Sequence, residues 1–176
     1  MNLDVQRPGI LDRLCLLITF WLFAQSLFAQ NVPAALQPPK DETVLMQLVG
    51  KGKQIYVCQS SAWKLKGPDA QLYTTAGELV GHHFAGPTWE HKDGSRVVGK
   101  VVANAPSPDP DSIPWLLLDA ASHDGKGAFS EVQSIQRLNT KGGVAPLGAC
   151  TDNRETAVPY EAVYNFFVKF SDAHFE

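Results

Sequence analysis

Hydrophobic positions recur along this chain at intervals of two, most clearly toward its C-terminal end. Over residues 158–170, Val158, Tyr160, Ala162, Tyr164, Phe166, Val168 and Phe170 alternate with Pro159, Glu161, Val163, Asn165, Phe167 and Lys169. That period predicts a long closing strand with one apolar face. Residues 76–102 hold three shorter apolar runs joined by Ala85-Gly86-Pro87 and Lys92-Asp93-Gly94, the punctuation of a β-meander. Pairing 79–84 with 88–92 places His83 opposite Trp89, His82 opposite Glu90 and Gly81 opposite His91. Leu79, Gly81, His83, Trp89, His91 and Asp93 then share a face. Continuing into 96–102 sets Trp89 opposite Gly99, so that the indole lies over a residue with no side chain.

The remaining strands follow from the same periodicity. Residues 43–49 and 54–58 read as a hairpin turning at Lys51-Gly52-Lys53, and 63–66 and 70–74 as strands separated by a Gly67-Pro68-Asp69 turn. Three prolines within 104–111 exclude a strand there and predict a loop. Residues 114–121, with Leu116-Leu117-Leu118, are apolar on both faces and read as a central strand. The polar stretch 122–127 reads as its exit turn, 129–138 as a strand that includes a short helical turn, and 139–150 as a glycine-rich loop. No segment carries a helical stripe. Nine or ten strands with short turns predict one all-β domain, an antiparallel β-sandwich or closed barrel spanning 43–170, with an extended proline-rich lead-in at 30–42 and a tail at 171–176.

The blocks GHHFAGPTWE, DGSRVVGKV, SIPWLLLDA and IQRLNTKGGVAP, in this order, resemble the secreted microbial family catalogued as domain of unknown function 3455. The resemblance covers roughly 32–170. It implies a single exported β-rich domain, and no assigned activity, substrate or catalytic residue. His83, Gly86, Pro87, Trp89, Asp93, Gly94 and Ser95 fall within the family's blocks, whereas His82 and His91 are local to this chain.

Residues 1–29 combine Arg7 and Arg13 with the apolar run 14–23 and small residues near Ala29, the pattern of a secretory signal cleaved after Ala29. The alternative is a retained anchor, for which the run is short, since a span takes roughly 20 apolar residues. The location this implies is exported, periplasmic or extracellular, with no stable membrane insertion after cleavage. Cleavage removes two charges of each sign and leaves the net charge at −3. Mild acidity argues against nucleic-acid binding, which needs a concentrated basic face. Beyond the signal only Cys58 and Cys150 remain. In an oxidising compartment two such cysteines pair; two buried free thiols are the alternative.

Three groups could carry chemistry. His83, His91 and Asp93 on one meander face could share a metal ion or relay a proton, or else Asp93 caps its own turn, His83 packs on Trp89 and His91 is solvated. Arg137, Asn139, Lys141, Gly142 and Gly143 could cradle an anion with backbone amides flanked by two cations, or form a tight turn. Trp63, Trp89 and Trp115 could stack on an apolar ligand or fill the core. Ser95 lacks the strand-to-helix elbow of a nucleophile. The expected function is a non-catalytic exported domain, without a cofactor, that binds a small ligand or an envelope component through Trp89 and the 137–143 loop. The alternative is a metal-assisted or acid–base hydrolase using His83, His91 and Asp93.

Overall fold

The computed structural model describes residues 31–172, so the expected signal segment, its cleavage site and most of the C-terminal tail lie outside the described residues. Eight strands follow one another: β1 (Glu42–Gln59), β2 (Ala62–Thr74), β3 (Leu79–Phe84), β4 (Thr88–His91), β5 (Arg96–Ala105), β6 (Trp115–Asp124), β7 (Ser134–Gly142) and β8 (Glu155–Lys169). Each is antiparallel to the next, and β8 pairs along β1 to close an up-and-down barrel. Closure leaves no sheet edge to protect. Among the described residues no helix is long and apolar enough to cross a membrane.

Eight strands replace the nine or ten expected because two expected turns are not turns. Gly52 sits inside β1, where a Cβ would collide with the Asp69 carbonyl oxygen and the Ala70 Cα across the ladder. This glycine allows close approach of two strands instead of reversing the chain. Gly67 and Pro68 lie inside β2 at a bulge: Ile55 pairs with Gly67 and Tyr56 with Leu65, leaving Lys66 extra. A bulge is one of the few places where a strand tolerates proline. β6 likewise runs on through Ser122, His123 and Asp124, and β7 through Asn139 to Gly142.

Within the meander, His83 pairs with Trp89 and Gly81 with His91 as expected. Trp89, however, pairs with Val97, two residues short of the expected Gly99. The shift preserves the face, and Gly99 still lies beneath the indole, its hypothetical Cβ 2.9 Å from Trp89 Cζ3. A bulge where β2 meets β3 turns Val80 inward and leaves Leu79 exposed, reversing their expected faces.

The period-two stripe of β8 faces the barrel interior from Tyr160 to Val168, while Phe170 leaves the strand and is exposed. A second apolar cluster lies outside the barrel. The lead-in forms a 3-10 turn (Ala34–Leu36) and buries Leu36 against Trp115, Leu117 and Leu138. Gln136 Nε2 donates to the Leu36 carbonyl at 2.7 Å. This strap explains the apolar run of β6: Leu118 packs in the main core, and Trp115 and Leu117 pack under the strap. The exterior elsewhere carries interstrand ion pairs such as Lys66–Glu155 and Arg96–Glu90.

Alternating strand direction gathers the β2–β3, β4–β5 and β6–β7 connections at one end and the other four at the opposite end. The first end is shut. Phe129 and Val132, from the β6–β7 connection, are fully buried, and Phe129 stacks on Phe166 with centroids 4.6 Å apart.

Candidate functional site

The second end opens into a cavity of about 270 Å³ inside the barrel. Eight strands give an interior that side chains can just fill or that holds one small ligand. Here the choice depends on where bulk sits. Gly50 and Gly99 leave room for the rings of Tyr164 and Trp89, whose edges would lie 2.6 and 2.9 Å from a Cβ at those positions. Above these rings the lumen stays unfilled. Leu65 and Val101, 56% and 46% exposed, line its rim together with Gly86 and Pro87.

Most of the lining is apolar, and its few polar groups are unusual. Gln54 is 2% exposed, and neither its amide oxygen nor its amide nitrogen has a hydrogen-bond partner; Trp89 Nε1, equally buried, has none either. An unsatisfied buried polar group costs about 1–3 kcal/mol. Trp115 Nε1 is also unpaired, but it lies under the outer strap and not in the cavity.

His83 stacks on Trp89, centroids 4.3 Å apart and 9° from parallel, and meets Tyr164 edge-on. Its Nδ1 donates to the Thr88 carbonyl at 2.9 Å, which fixes the tautomer and leaves Nε2 as an acceptor. Burial pushes the imidazole pKa down to about 3, with the Arg137 and His82 charges adding to the effect against the Thr88 bond. His83 is therefore neutral at physiological pH. Burial likewise raises Tyr160 and Tyr164, whose hydroxyls lie 3.2 Å apart. Arg137 is one of two cations that line the lumen, with Lys66. It pairs across the ladder with Leu116 and Tyr164, both lining residues, and donates from Nε and Nη2 to the Pro114 carbonyl at 3.2 and 2.8 Å.

Residues 38–168 match the family described as protein of unknown function (DUF3455). The chain belongs to the DUF3455 family. The match takes in every cavity-lining residue and both cysteines of this DUF3455 barrel, but not Leu36 of the strap. No curated protein and no solved structure matches the chain.

The expected histidine–aspartate group divides between the two ends. His83 belongs to the cavity. His91 and Asp93 meet at the shut end, Nδ1 to Oδ2 2.9 Å, where they hold the Phe129 plug. Asp93 accepts from Ala128 N at 2.8 Å, from Ser95 N at 2.8 Å and from Ser95 Oγ at 2.6 Å; Ser95 Oγ in turn accepts from Phe129 N at 3.1 Å. Desolvation works to raise the Asp93 pKa, but these bonds outweigh it and hold the carboxyl well below the usual range. His91 packs edge-on against Phe129. Among the described residues no three His, Cys, Asp or Glu side chains converge as a metal site. His82 is exposed and meets Asp69 at 2.8 Å on the outside.

The expected anion loop is split in the same way, because 139–142 continue a strand in which a bulge between Leu138 and Lys141 changes the phase of alternation across the wall. Arg137 faces the lumen, whereas Lys141 borders a shallow exterior groove with Lys51 and Glu161. Its backbone is also in use: Gly142 N donates to Ser112 Oγ at 2.8 Å, and the Gly143 carbonyl accepts from Tyr56 OH at 2.6 Å. Asn139 and both glycines adopt positive φ at a bulge. The three tryptophans do not form one surface either: Trp89 lines the cavity, Trp115 lies under the strap, and Trp63 is half-buried on β2 opposite Cys58. Cys58 and Cys150 form a disulfide, Cα–Cα 5.8 Å, tying the β7–β8 connection to the end of β1.

Sequence reasoning passed over Gln54 and Tyr164 as site residues. A signal was present: Gln54 is an amide in the inward phase of β1, between Leu48, Gly50 and Tyr56, Cys58. Arg137 breaks the inward phase of β7 in the same way.

Proposed function

We propose that this DUF3455 protein is an exported, non-catalytic binding barrel that holds one small, mostly apolar molecule in its lumen. The observation that carries the reading is the clustering of unpartnered buried polar groups. Gln54 and Trp89 both line one open apolar cavity, and their unpartnered amide and indole Nε1 lie buried in its wall, where side-chain adjustment on binding would let a molecule supply the missing partners. Ligand sites are typically apolar clefts with a few convergent polar groups. Export is supported by the Cys58–Cys150 disulfide together with the signal-like composition of 1–29.

Naphthalene-2-carboxamide is a suitable probe, being flat, neutral and able to meet an amide partner. A cavity of about 270 Å³ is larger than the roughly 150 Å³ that accommodates benzene. Isothermal titration should give one site per chain in the full protein. Val101→Trp, at the half-exposed rim, should abolish that binding while leaving the melting temperature within a few degrees. Absence of binding to the wild-type barrel would mean that hydration alone serves Gln54 and Trp89. Binding that survives in Val101→Trp would place the probe elsewhere.

A further inference from the structure

The lumen carries a positive charge with no counter-charge. Arg137 lines the cavity and spends Nε and Nη2 on a single neutral carbonyl, that of Pro114. No carboxylate pairs with it among the described residues, and no Asp or Glu lines the cavity. Lys66, the other cation of the lining, is already paired with Glu155 at 2.6 Å. The remaining polar neighbours do not compensate. His83 is neutral there, Tyr160 and Tyr164 hold their protons, and Gln54 offers an unpartnered amide. Arg137 is only partly buried and keeps some hydration, so its charge is tolerated without a carboxylate and stays available to an incoming anion.

From this arrangement we infer that the molecule held in the lumen is a small monoanion, a flat apolar body bearing one carboxylate, with its charge met by Arg137. The inference rests on the lumen-binding reading and adds its charge class. The guanidinium fork suits a carboxylate, and the two hydrogen bonds to Pro114 fix the side chain before the ligand arrives. Gln54, whose buried NH₂ is unpartnered, lies in the same wall. The stacked face of His83 and Trp89 and the side chains of Leu116 and Leu118 supply the apolar wall.

Two probes of one shape separate charge from fit: naphthalene-2-carboxylate and its neutral carboxamide. Hydrogen bonds to a charged group are worth about 1.5–3 kcal/mol, so the carboxylate should bind the wild-type barrel roughly ten- to a hundredfold more tightly. In Arg137→Met that ratio should fall to about one, with circular dichroism and the melting temperature reporting that the variant is folded. In Arg137→Lys, which keeps the charge but loses the fork, part of the preference should return. Equal affinity of the two probes for the wild type would overturn the anion assignment and leave lumen binding standing. A preference that persists in Arg137→Met would overturn the role of Arg137. Failure of both probes to bind would overturn lumen binding itself.

Discussion

Replacing His83 by asparagine should make the barrel's stability less sensitive to acid. Above about pH 6.5 the ring is neutral in both the folded and the unfolded chain, so its full contribution to stability is present. As pH falls toward about 3, the unfolded chain takes up a proton that the folded chain refuses, and stability is lost through that window. At about 1.4 kcal/mol per unit, lowering the pH from about 7 to about 4.5 removes roughly 2–3 kcal/mol through this one residue. Asparagine keeps an N–H for the Thr88 carbonyl but has no ring to stack on Trp89, an aromatic pairing worth about 0.5–1.5 kcal/mol beyond area. The variant should therefore be the weaker protein near neutrality and equal or superior to the wild type near pH 4.5. Urea unfolding followed by circular dichroism, on both proteins at both pH values, gives the double difference, in which the carboxylates common to the two chains cancel. A stability gap that stays constant within about 0.5 kcal/mol would show that His83 takes up protons in the folded state as readily as in the unfolded one. The cavity wall would then be far wetter than its burial implies.

Other perturbations probe the frame around the site. Gly99→Ala puts a methyl group 2.9 Å from Trp89 and 3.0 Å from Leu118, and overpacking of this kind should cost about 1–3 kcal/mol in denaturant unfolding. An unchanged midpoint would mean that the Trp89 ring can move aside. Reducing Cys58–Cys150, which are 92 residues apart, should cost roughly 4–5 kcal/mol in the chain-entropy picture, seen as a lower melting temperature in reductant. Asp93→Asn should speed amide hydrogen exchange at Ala128 and Phe129 more than at β1, because it weakens the acceptor that pins the plug. The depressed Asp93 pKa means that its contribution is present above about pH 4 and lost as pH falls below that, so the variant and the wild type should converge in acid.

The sheet was legible because its causes are local. Alternation in β8 and the turn chemistry around Gly86-Pro87 and Asp93-Gly94 are written in consecutive residues, and His83 pairs with Trp89 as the register predicts. Gly52 and Gly67-Pro68 misled because the same residues serve turns and close interstrand contacts. Only the partner strand, Ala70 for Gly52, decides between the two uses. The two-residue error at Gly99 arose because the hairpin leaving β4 turns one residue earlier than expected, about Asp93 instead of Gly94, with His91 N donating to the Ser95 carbonyl. The candidate site was half legible. His83, Trp89 and Arg137 were singled out, but each was grouped with its sequence neighbours.

That grouping fails for a reason intrinsic to a meander barrel. Chain neighbours on one face of a hairpin point the same way yet lie at different depths, so His91 and Asp93 reach the shut end while His83 stays in the lumen. Neighbours one residue apart point to opposite sides of the wall, so alternation sends Arg137 and the 141 position to different surfaces once a bulge intervenes. What gathers His83, Trp89, Arg137, Gln54 and Tyr164 is closure, the pairing of β8 with β1, a contact between the two ends of the sequence. Closure also fixes which end can work as a site. At one end the β6–β7 connection is long enough to fold Phe129 back into the barrel, and the Asp93–Ser95 hydrogen bonds hold it there. At the other, the β3–β4 turn is only Ala85-Gly86-Pro87, too short to reach the axis, and its glycine and proline become part of the rim. The longer β5–β6 and β7–β8 connections at that end place no residue in the cavity lining, so the lumen that holds Gln54, Trp89 and Arg137 stays open there.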